Sequence, residues 1–259
     1  QLHRIHSSDV PYPERYILIA FSAIAIGRGT QAQPGTIDLT FDPGTGVPAP
    51  SSFILKVAEQ SDGMIIVAGA FDQYQGVPRG GLARIFPSGL VDINYSPPLV
   101  FVQGLYQVNT IALDSAGRCL VGGSLFVPGV GYRSLIRLDS AGAFDSQFNQ
   151  NLGAGPMGGA VQHIATKNDG NIVIGGTFTG VDGHSRTGIA ELLEDGSLNI
   201  IQSFQGGFID SEAPDMLPTI RGIRIGPSQE VFVLGSFSHY GWGNQAARGL
   251  VRISPDGTL

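Results

Sequence analysis

One short stretch recurs four times in this chain: an apolar run that ends in Gly, followed two residues later by a bulky apolar side chain. The four copies are Met64–Phe71, Cys119–Phe126, Asn171–Phe178 and Glu230–Phe237. Their anchoring glycines stand 54, 53 and 59 residues apart and are Gly69, Gly123, Gly176 and Gly235. A period of this length indicates a repeat architecture, in which each copy belongs to one supersecondary unit.

Turn signals divide each repeat into short strands. Asp62-Gly63 and Asp169-Gly170 predict tight hairpin turns between the first and second strands, because Asp and Gly tolerate the positive φ of such turns. Ser228-Gln229 departs from this pattern in the fourth repeat. A third strand and a second tight turn follow, and then an alternating stretch predicts a fourth, outer strand. These outer strands are Ile37–Phe41, Val91–Tyr95, Phe144–Phe148 and Leu198–Ile201.

Four short strands in a repeat of about 53 residues are typical of one β-propeller blade. A single sheet of this kind leaves both faces uncovered, so neighbouring repeats must stack. The sequence therefore predicts an all-β fold, a β-propeller built from four four-stranded repeats. Each anchoring Gly is expected where another backbone comes close, because Gly has no Cβ to clash.

Several repeat columns together resemble a known family. The stretches that carry the resemblance are Gln60-Ser61-Asp62-Gly63, Val121-Gly122-Gly123, Leu135-Ile136-Arg137-Leu138, Phe144-Asp145-Ser146-Gln147-Phe148 and Asp195-Gly196-Ser197. They resemble the delta-60 repeats, a β-propeller domain of unknown function found in bacterial secreted and cell-surface proteins. The resemblance covers roughly residues 35–259, and Glu191 departs from it where the other repeats have Arg. It implies an extracellular setting and assigns no chemistry.

The first 33 residues have the layout of a secretory signal peptide. An apolar stretch of 12 residues, Tyr16–Gly27, follows Arg15 and precedes the small-x-small signature Thr30-Gln31-Ala32. This stretch is too short to span a bilayer as a helix, so no membrane span is expected. The acidic residues Asp9 and Glu14 are unusual for such a leader, and the alternative is a buried strand or helix.

The domain organisation follows from these patterns. We expect a leader in residues 1–33 and the repeat domain in residues 34–259, with blades near 53–95, 107–148, 160–203 and 219–259 and an orphan outer strand at 37–41. The orphan strand either completes the last blade and closes a four-bladed ring, or belongs to a longer propeller. The missing initiator Met favours one segment of a larger surface protein.

Charge and cysteine content exclude some function classes. The net charge is −6 and the only lysines are Lys56 and Lys167, which disfavours nucleic acid as a partner because phosphate binding needs clustered cations. Cys119 is the only Cys, so the chain forms no intrachain disulfide and no Cys-based zinc site. Its place in an apolar run predicts a buried, inert thiol.

The long connections indicate where a ligand would bind. Tight turns join strands one to two and three to four, whereas the two-to-three and four-to-one connections are long and are expected on one face. Aromatic rings in those loops are candidates for stacking on a sugar or a protein surface. These predicted ligand-binding residues are Tyr74, Tyr132, Tyr240 and Trp242. The alternative is that each ring folds back over a blade edge.

No motif for catalysis or metal binding recurs in the sequence, and no cofactor is expected. The acidic loop Asp210–Asp215 offers oxygen ligands of the type that Ca²⁺ prefers, but it lacks the spacing of a known calcium loop. The repeated Arg79, Arg133, Arg186 and Arg248 are expected to bind backbone carbonyls within their own blades rather than line an anionic site.

The favoured function is therefore a non-catalytic, secreted or cell-surface module that binds a protein or carbohydrate through its long loops. Two alternatives are a carbohydrate-active enzyme on the same scaffold, with loop carboxylates such as Asp72, Asp182 and Asp210, and a structural spacer.

Overall fold

The computed structural model describes residues 37–48, 50–200, 204, 206–211, 217–241 and 245–259. The chain divides into two compact units, Gln1–Asp38 and Leu39–Leu259, and all of the strands described below lie in the second. The predicted leader in residues 1–33 lies outside the described residues. No described helix is long and apolar enough to cross a membrane.

The strands follow the predicted repeats. The first repeat contains β1 Phe53–Glu59, β2 Ile65–Ala70, β3 Gln73–Tyr74, β4 Val77–Pro78 and β5 Leu82–Ile85. The second contains β6 Gln107–Leu113, β7 Cys119–Val127, β8 Gly131–Leu138 and the helix α1 Ser146–Asn151. β9 Pro156–Met157 lies in the connection before the third repeat, which contains β10 Val161–Thr166, β11 Ile172–Gly176, β12 Gly180–Val181, β13 His184–Ser185 and β14 Ile189–Leu192. β15 Phe208–Ile209 lies in the connection before the fourth repeat, which contains β16 Thr219–Ile225, β17 Val231–Ser236, β18 His239–Tyr240, β19 Gln245–Ala246 and β20 Leu250–Ile253.

Each repeat forms one main antiparallel sheet. The four sheets have the strand orders β1-β2-β5, β6-β7-β8, β10-β11-β14 and β16-β17-β20. The hairpin turn between the first two strands is kept even where the sequence departs from Asp-Gly. In the fourth repeat Gln229 adopts a φ of 66°, in the same left-handed region as Gly63 at 81° and Gly170 at 86°. Its backbone N–H also closes the same turn, onto the Gly226 carbonyl.

The predicted fourth strand is wrong as a full strand. In each of the first three repeats it contributes one isolated bridge to the sheet, Ile85 to Val91, Leu138 to Phe144 and Leu192 to Leu198. In the second repeat the chain then enters α1, because the Asp145 carboxylate accepts a hydrogen bond from the Phe148 N–H and caps the helix. The alternating pattern placed Phe148 correctly in the core but misread the local backbone.

The orphan outer strand predicted at Ile37–Phe41 is likewise not a strand in the structure. Residues 37–41 form no ladder, and Leu39 is 89% exposed. The neighbouring segment nevertheless reaches the first repeat, since the Asp42 N–H donates to the Ser88 carbonyl. The short outer segments therefore depend on turn contacts rather than on a continuous ladder.

A close backbone approach explains the anchoring glycines. In each repeat the first strand has a β-bulge, with register shifts at Ile54/Lys56, Val108/Thr110, Val161/His163 and Ile220/Gly222. The bulge brings the backbone of the first strand against the anchoring Gly of the second. A Cβ added at any of the four glycines would overlap the carbonyl oxygen of Phe53, Gln107, Ala160 or Thr219. The predicted role of these glycines is confirmed.

Neighbouring sheets stack face to face. We call the face of each sheet that is turned toward the next repeat its following face, and the opposite face its preceding face. Between the first and second repeats the buried residues include Ile66, Ala68, Leu82, Ile111, Val121 and Leu138. Between the second and third they include Leu120, Leu135, Ile172, Ile174 and Leu192. Between the third and fourth they include Val173, Ile189, Val231, Val233 and Ile253.

The stacking is closest at the first strands. β6 packs against β1 and β2, β10 packs against β6 and β7, and β16 packs against β10 and β11. Small residues on the following face allow this approach. A Cβ at Gly122 would lie 2.7 Å from Val161 Cγ1, and one at Gly175 would lie 2.5 Å from Ile223 Cδ1. The first strands β6, β10 and β16 are thus each seated against the first two strands of the preceding sheet, in the slot that these form.

An arginine joins the sheets at their outer edges. Arg84 is paired with Asp92 of its own repeat, and its Nη1 donates to the Ser140 carbonyl of the next repeat at 2.9 Å. Arg137 repeats this arrangement with Asp145 and with the Glu194 carbonyl at 2.8 Å.

The third repeat has Glu191 in the same column. Glu191 instead accepts from the buried Lys167 Nζ at 2.8 Å, and both side chains are at least 95% buried. Glu191, which stands where the other three repeats have Arg, is therefore paired within its own repeat.

Cys119 lies in β7 with no exposed surface, which confirms the predicted buried thiol. Burial, with a smaller contribution from the Asp114 carboxylate, raises the pKa of the Cys119 thiol to about 12. Because the thiolate is the reactive species, both the burial of Cys119 and its raised pKa oppose reaction in the folded state.

We expect a thiol reagent such as Ellman's to modify Cys119 of the native protein only at the rate at which the protein unfolds. The same reagent should react fully within minutes in concentrated guanidinium, and rapid modification of native protein would contradict the burial.

The glycine contact predicts a large cost for a single methyl group. Gly176→Ala should destabilise the protein by about 2–3 kcal/mol, because the backbone of the first strand must move away from the new Cβ. Gly129→Ala is the matched control. It has a φ of +80° but nothing within 4 Å of an added Cβ, so it should cost about 1 kcal/mol. Urea unfolding followed by circular dichroism measures both, and equal costs would contradict the close approach.

Candidate functional site

The long connections lie together at one end of the sheets. In the third repeat β12 pairs with β9, and in the fourth β18 pairs with β15. In both, the connection between the second and third strands of the main sheet is therefore hydrogen-bonded to the connection that precedes the repeat. In the second repeat the Val100 N–H donates to the Phe126 carbonyl and makes the same link. We call this end the loop face. The long connections were predicted to share one face, and their mutual pairing confirms it.

Among the described residues, the largest group of exposed apolar side chains on the loop face lies on the second repeat. Here β7 and β8 form one long hairpin, in which Phe126 lies opposite Tyr132. The Tyr106 ring stacks on the Phe126 ring at a centroid distance of 5.4 Å. We call the hairpin and its neighbouring loop the aromatic hairpin patch, which consists of Val100, Val102, Leu105, Tyr106, Phe126, Val130 and Tyr132. Tyr132 is 47% exposed and Leu105 is 63% exposed.

A cleft of about 290 Å³ adjoins the patch at Val100 and is also lined by Asp72 and Arg79. Arg79 is 7% exposed, and its guanidinium donates to the Pro78 and Asp92 carbonyls while its Nε has no partner in the structure. Burial lowers the pKa of Arg79, and the Asp92 carboxylate partly offsets this. The cleft thus places the Asp72 carboxylate beside apolar walls and next to the Arg79 guanidinium, whose terminal nitrogens are bound to backbone carbonyls.

A second cleft lies at the corresponding place of the third repeat. Its volume is about 350 Å³, and it is lined by Thr187, Phe208, Ile209, Asp210, Ser211, Leu217 and Pro218. Residues 212–216 of this loop lie outside the described part of the chain. Both clefts form where a two-to-three connection meets the four-to-one connection after it.

The predicted ring positions fall into different environments. Tyr74 is 2% exposed and packs in the cluster with Val67 and Ile85, and Tyr240 is 4% exposed and donates its hydroxyl to the Gly257 carbonyl at 2.9 Å. Tyr132 keeps about half of its surface open. Trp242 lies outside the described residues. Of the three described rings, only Tyr132 is placed to meet a large ligand on the loop face.

The stacked rings of Tyr106 and Phe126, next to Tyr132 on the hairpin, were not among the predicted site residues. Both rings are half-buried, and their stacking joins the loop that contains Tyr106 to β7 of the hairpin. A signal for them exists in the sequence. In the second repeat the apolar run continues through Phe126-Val127 to a Pro128-Gly129 turn and returns through Tyr132, whereas the other repeats form two-residue strands at this point.

The repeated arginines bind backbone carbonyls within their own repeats, as predicted for those whose contacts are described. Arg79 donates to Pro78 and Asp92, Arg133 donates to the Tyr132 carbonyl, and Arg186 donates to the Ser185 carbonyl. They therefore brace the loop face rather than converge on one anionic site.

One serine–histidine contact has a catalytic appearance but a structural role. Ser238 Oγ lies 2.9 Å from His239 Nδ1. The same hydroxyl accepts from the Ser211 N–H at 2.7 Å, and Ser238 is 5% exposed. This buried hydroxyl holds the two loop segments together. It is not open to a substrate, as an attacking nucleophile must be.

The loop carboxylates proposed for an enzyme lie in separate places. Asp72 lines the first cleft and Asp210 the second, while the Asp182 carboxylate accepts from the Ala154 N–H. Among the described residues, no three His, Cys, Asp or Glu side chains are grouped so as to hold a metal. Most of the candidate calcium loop Asp210–Asp215 lies outside them.

The burial of Tyr240 predicts that loss of its hydroxyl lowers the free energy of unfolding more than loss of the Tyr132 hydroxyl does. Tyr240→Phe should lower the free energy of unfolding by about 1 kcal/mol, because the Gly257 carbonyl loses its donor. Tyr132→Phe, at an exposed position, should change it by less than about 0.5 kcal/mol. Chemical denaturation of the two variants beside the wild type provides the comparison, and a neutral Tyr240→Phe would show that its ring is not fixed as described.

Comparison with known proteins identifies the repeats. Residues 60–92, 167–199 and 230–259 match the model of the domain of unknown function (DUF5122) β-propeller. No curated protein matches the sequence. Among solved structures, the chain is similar to the GH74 xyloglucanase from Xanthomonas campestris, with 18% identity and a TM-score of 0.37. That match covers 77% of this chain and 30% of the other, so the chain spans less than a third of it. The all-β chain thus carries three matched repeats of the DUF5122 β-propeller, a domain of unknown function.

Proposed function

We propose that this chain is a non-catalytic binding module, secreted or displayed at a cell surface, that holds a protein or carbohydrate ligand on its loop face. The signal-peptide layout of residues 1–33 supports the extracellular setting. The rigid repeats and their one-sided long connections support the location of the site, because binding residues commonly lie on loops that a stable scaffold positions.

The aromatic hairpin patch carries the proposal. Val100, Val102, Leu105, Val130 and Tyr132 are each at least 37% exposed, and they lie together on one hairpin and its neighbouring loop. Contiguous exposed apolar surface of this kind favours a binding role, whereas single exposed apolar residues need no such explanation. An exposed Tyr ring provides apolar contact area together with a polar hydroxyl, which suits both sugars and protein surfaces.

The adjoining cleft supplies the polar part of such a site. Asp72 and Arg79 line it together with Phe101 and Leu99, so a ligand that covers the patch would meet a carboxylate at its edge. A few fixed polar groups beside apolar walls give orientation and specificity to a ligand. Binding without chemistry is supported by the structural engagement of Arg79 and Ser238, which leaves these groups fastened to backbone atoms.

The experiment removes the exposed ring. Tyr132→Ala should weaken binding to ligands found on a glycan array or by pull-down from extracellular material by about 10-fold or more, because a central ring of an interface typically contributes more than 1 kcal/mol. Phe86→Ala is the matched control. Phe86 is also an exposed aromatic side chain, 40% exposed, but it lies in a tight turn at the opposite end of the sheets.

Each outcome discriminates between the functions. Loss of binding in Tyr132→Ala and retention in Phe86→Ala supports recognition by the loop face. Equal binding by both variants places the ligand elsewhere, and no binding partner in either screen would favour the structural spacer. Turnover of a captured glycan by the wild type would contradict the non-catalytic part of the proposal.

A further inference from the structure

A polar cleft lies at the end of the sheets that carries the tight turns, opposite the loop face. It opens where the turns of the second and third repeats stand side by side, and its volume is about 430 Å³. Both of its walls belong to inner repeats, each of which packs against a neighbour on either side. Pockets that hold small molecules commonly measure about 300 to 1,000 Å³. We call it the turn-end cleft, and its walls include Asp114, Ser115, Arg137, Thr166, Lys167 and Glu194.

The corresponding spaces on either side of the turn-end cleft are each crossed by a glutamine side chain. Between the first and second repeats, Gln60 Nε2 donates to the Gly117 carbonyl at 3.2 Å. Between the third and fourth repeats, Gln229 Oε1 accepts from the Asn168 N–H at 2.8 Å. These two side chains join neighbouring turns and occupy the space that is open in the turn-end cleft.

Asp114 leaves the middle space open. It holds the position of Gln60 in the second repeat, because the backbone of each residue closes the same hairpin turn. The Asp114 side chain is one methylene shorter, and its carboxylate accepts from Arg118 Nε at 2.6 Å and from the Arg118 backbone N–H at 3.0 Å. Arg118 also donates to Glu194 Oε1 at 3.1 Å, which links the two repeats beside the cleft. No comparable side chain of Asp114 is therefore available to bridge the two turns.

The charges of the cleft are already paired within the protein. Lys167 is 8% exposed, and its Nζ donates to Glu191 Oε2 at 2.8 Å. A ligand carboxylate would compete with Glu191 for Lys167, and a ligand ammonium would compete with Arg118 for Asp114. Separation of a buried ion pair is costly, because it leaves a charge without its partner. The pairing therefore favours a neutral ligand.

The cleft retains hydrogen-bonding capacity that these ion pairs do not use. An ammonium has three donors, and the ion pair uses one of those of Lys167. The Ser115 and Thr166 hydroxyls bind no other group in the described part of the chain. One oxygen of the Glu194 carboxylate is engaged, and the other can accept from a ligand. Donors and acceptors are thus mixed around the cleft, which suits a ligand whose groups both donate and accept.

We infer that the turn-end cleft binds a neutral sugar residue, such as one hexopyranose of a glycan. A sugar hydroxyl can accept from Lys167 and donate to Glu194 without separating an ion pair. Ile172, which also lines the cleft, provides an apolar contact for the C–H groups of the ring. This site and the aromatic hairpin patch lie at opposite ends of the sheets, so each could hold its ligand without the other.

A variant that fills the cleft tests the site. Saturation-transfer difference NMR with methyl glycosides of glucose, galactose, mannose and N-acetylglucosamine should show saturable binding of at least one glycoside to the wild type. Ser115→Phe should abolish that binding, because the new ring occupies the cleft. Ser61→Phe is the matched control and should bind as the wild type does. Ser61 is the same exposed turn position in the first repeat, where Gln60 crosses the space between the turns.

Thr166→Val provides a second variant that removes a hydroxyl and keeps the branched shape of the side chain. It should weaken binding by about 5-fold, the effect of one lost hydrogen bond, and it remains a test if circular dichroism shows that Ser115→Phe does not fold. Tyr132→Ala should leave this binding unchanged, which separates it from recognition by the loop face.

Four results would overturn the proposal. The first is the absence of saturable binding for every neutral glycoside. The second is binding that persists in a folded Ser115→Phe variant, and the third is an unchanged affinity in Thr166→Val. The fourth is tighter binding of glucuronic acid or glycine than of any neutral glycoside, because the paired charges of the cleft would then not exclude a charged ligand.

Discussion

The structure depends on how closely the first two strands of each repeat approach. A bulge in the first strand brings its carbonyl oxygen to the place where a Cβ of the anchoring Gly would stand, and the same contact occurs at Gly69, Gly123, Gly176 and Gly235. The bulge bends and twists the strand. It also sets the first strand in position to enter the slot of the preceding sheet, so one backbone contact governs both the hairpin and the stacking.

Stacking then separates the two ends of the sheets. The tight turns meet at one end, where Arg84 and Arg137 bind turn carbonyls of the next repeat. The long connections meet at the other end and pair with one another. Because they lie outside the core, they can vary in length without disturbing it. The exposed aromatic hairpin patch belongs to this second end. Recognition by the loop face is consequently compatible with a core that recurs almost unchanged.

The parts of the fold that local chemistry specifies were predictable from the sequence. Asp62-Gly63 and Asp169-Gly170 define their turns through backbone preference alone, and the anchoring glycines recur at a readable period. The outer strands were not predictable, because an Asp at this position can either cap a helix or lie in an extended segment. Asp145 caps α1, whereas Asp92 pairs with its arginine in the same way and no helix follows it. Ring exposure likewise depends on distant packing. Tyr240 and Tyr132 look alike in sequence, yet Tyr240 is 4% exposed and donates to the Gly257 carbonyl, whereas Tyr132 is 47% exposed.

The most direct test of the account is a double-mutant cycle at the slot between the third and fourth repeats. A Cβ at Gly175 would lie 2.5 Å from Ile223 Cδ1, so Gly175→Ala overfills the slot and Ile223→Ala empties it. The account predicts that the free energies of unfolding are coupled by at least about 1 kcal/mol, with the double variant more stable than the sum of the single effects allows. Additivity within about 0.5 kcal/mol would show that these repeats do not stack through this contact.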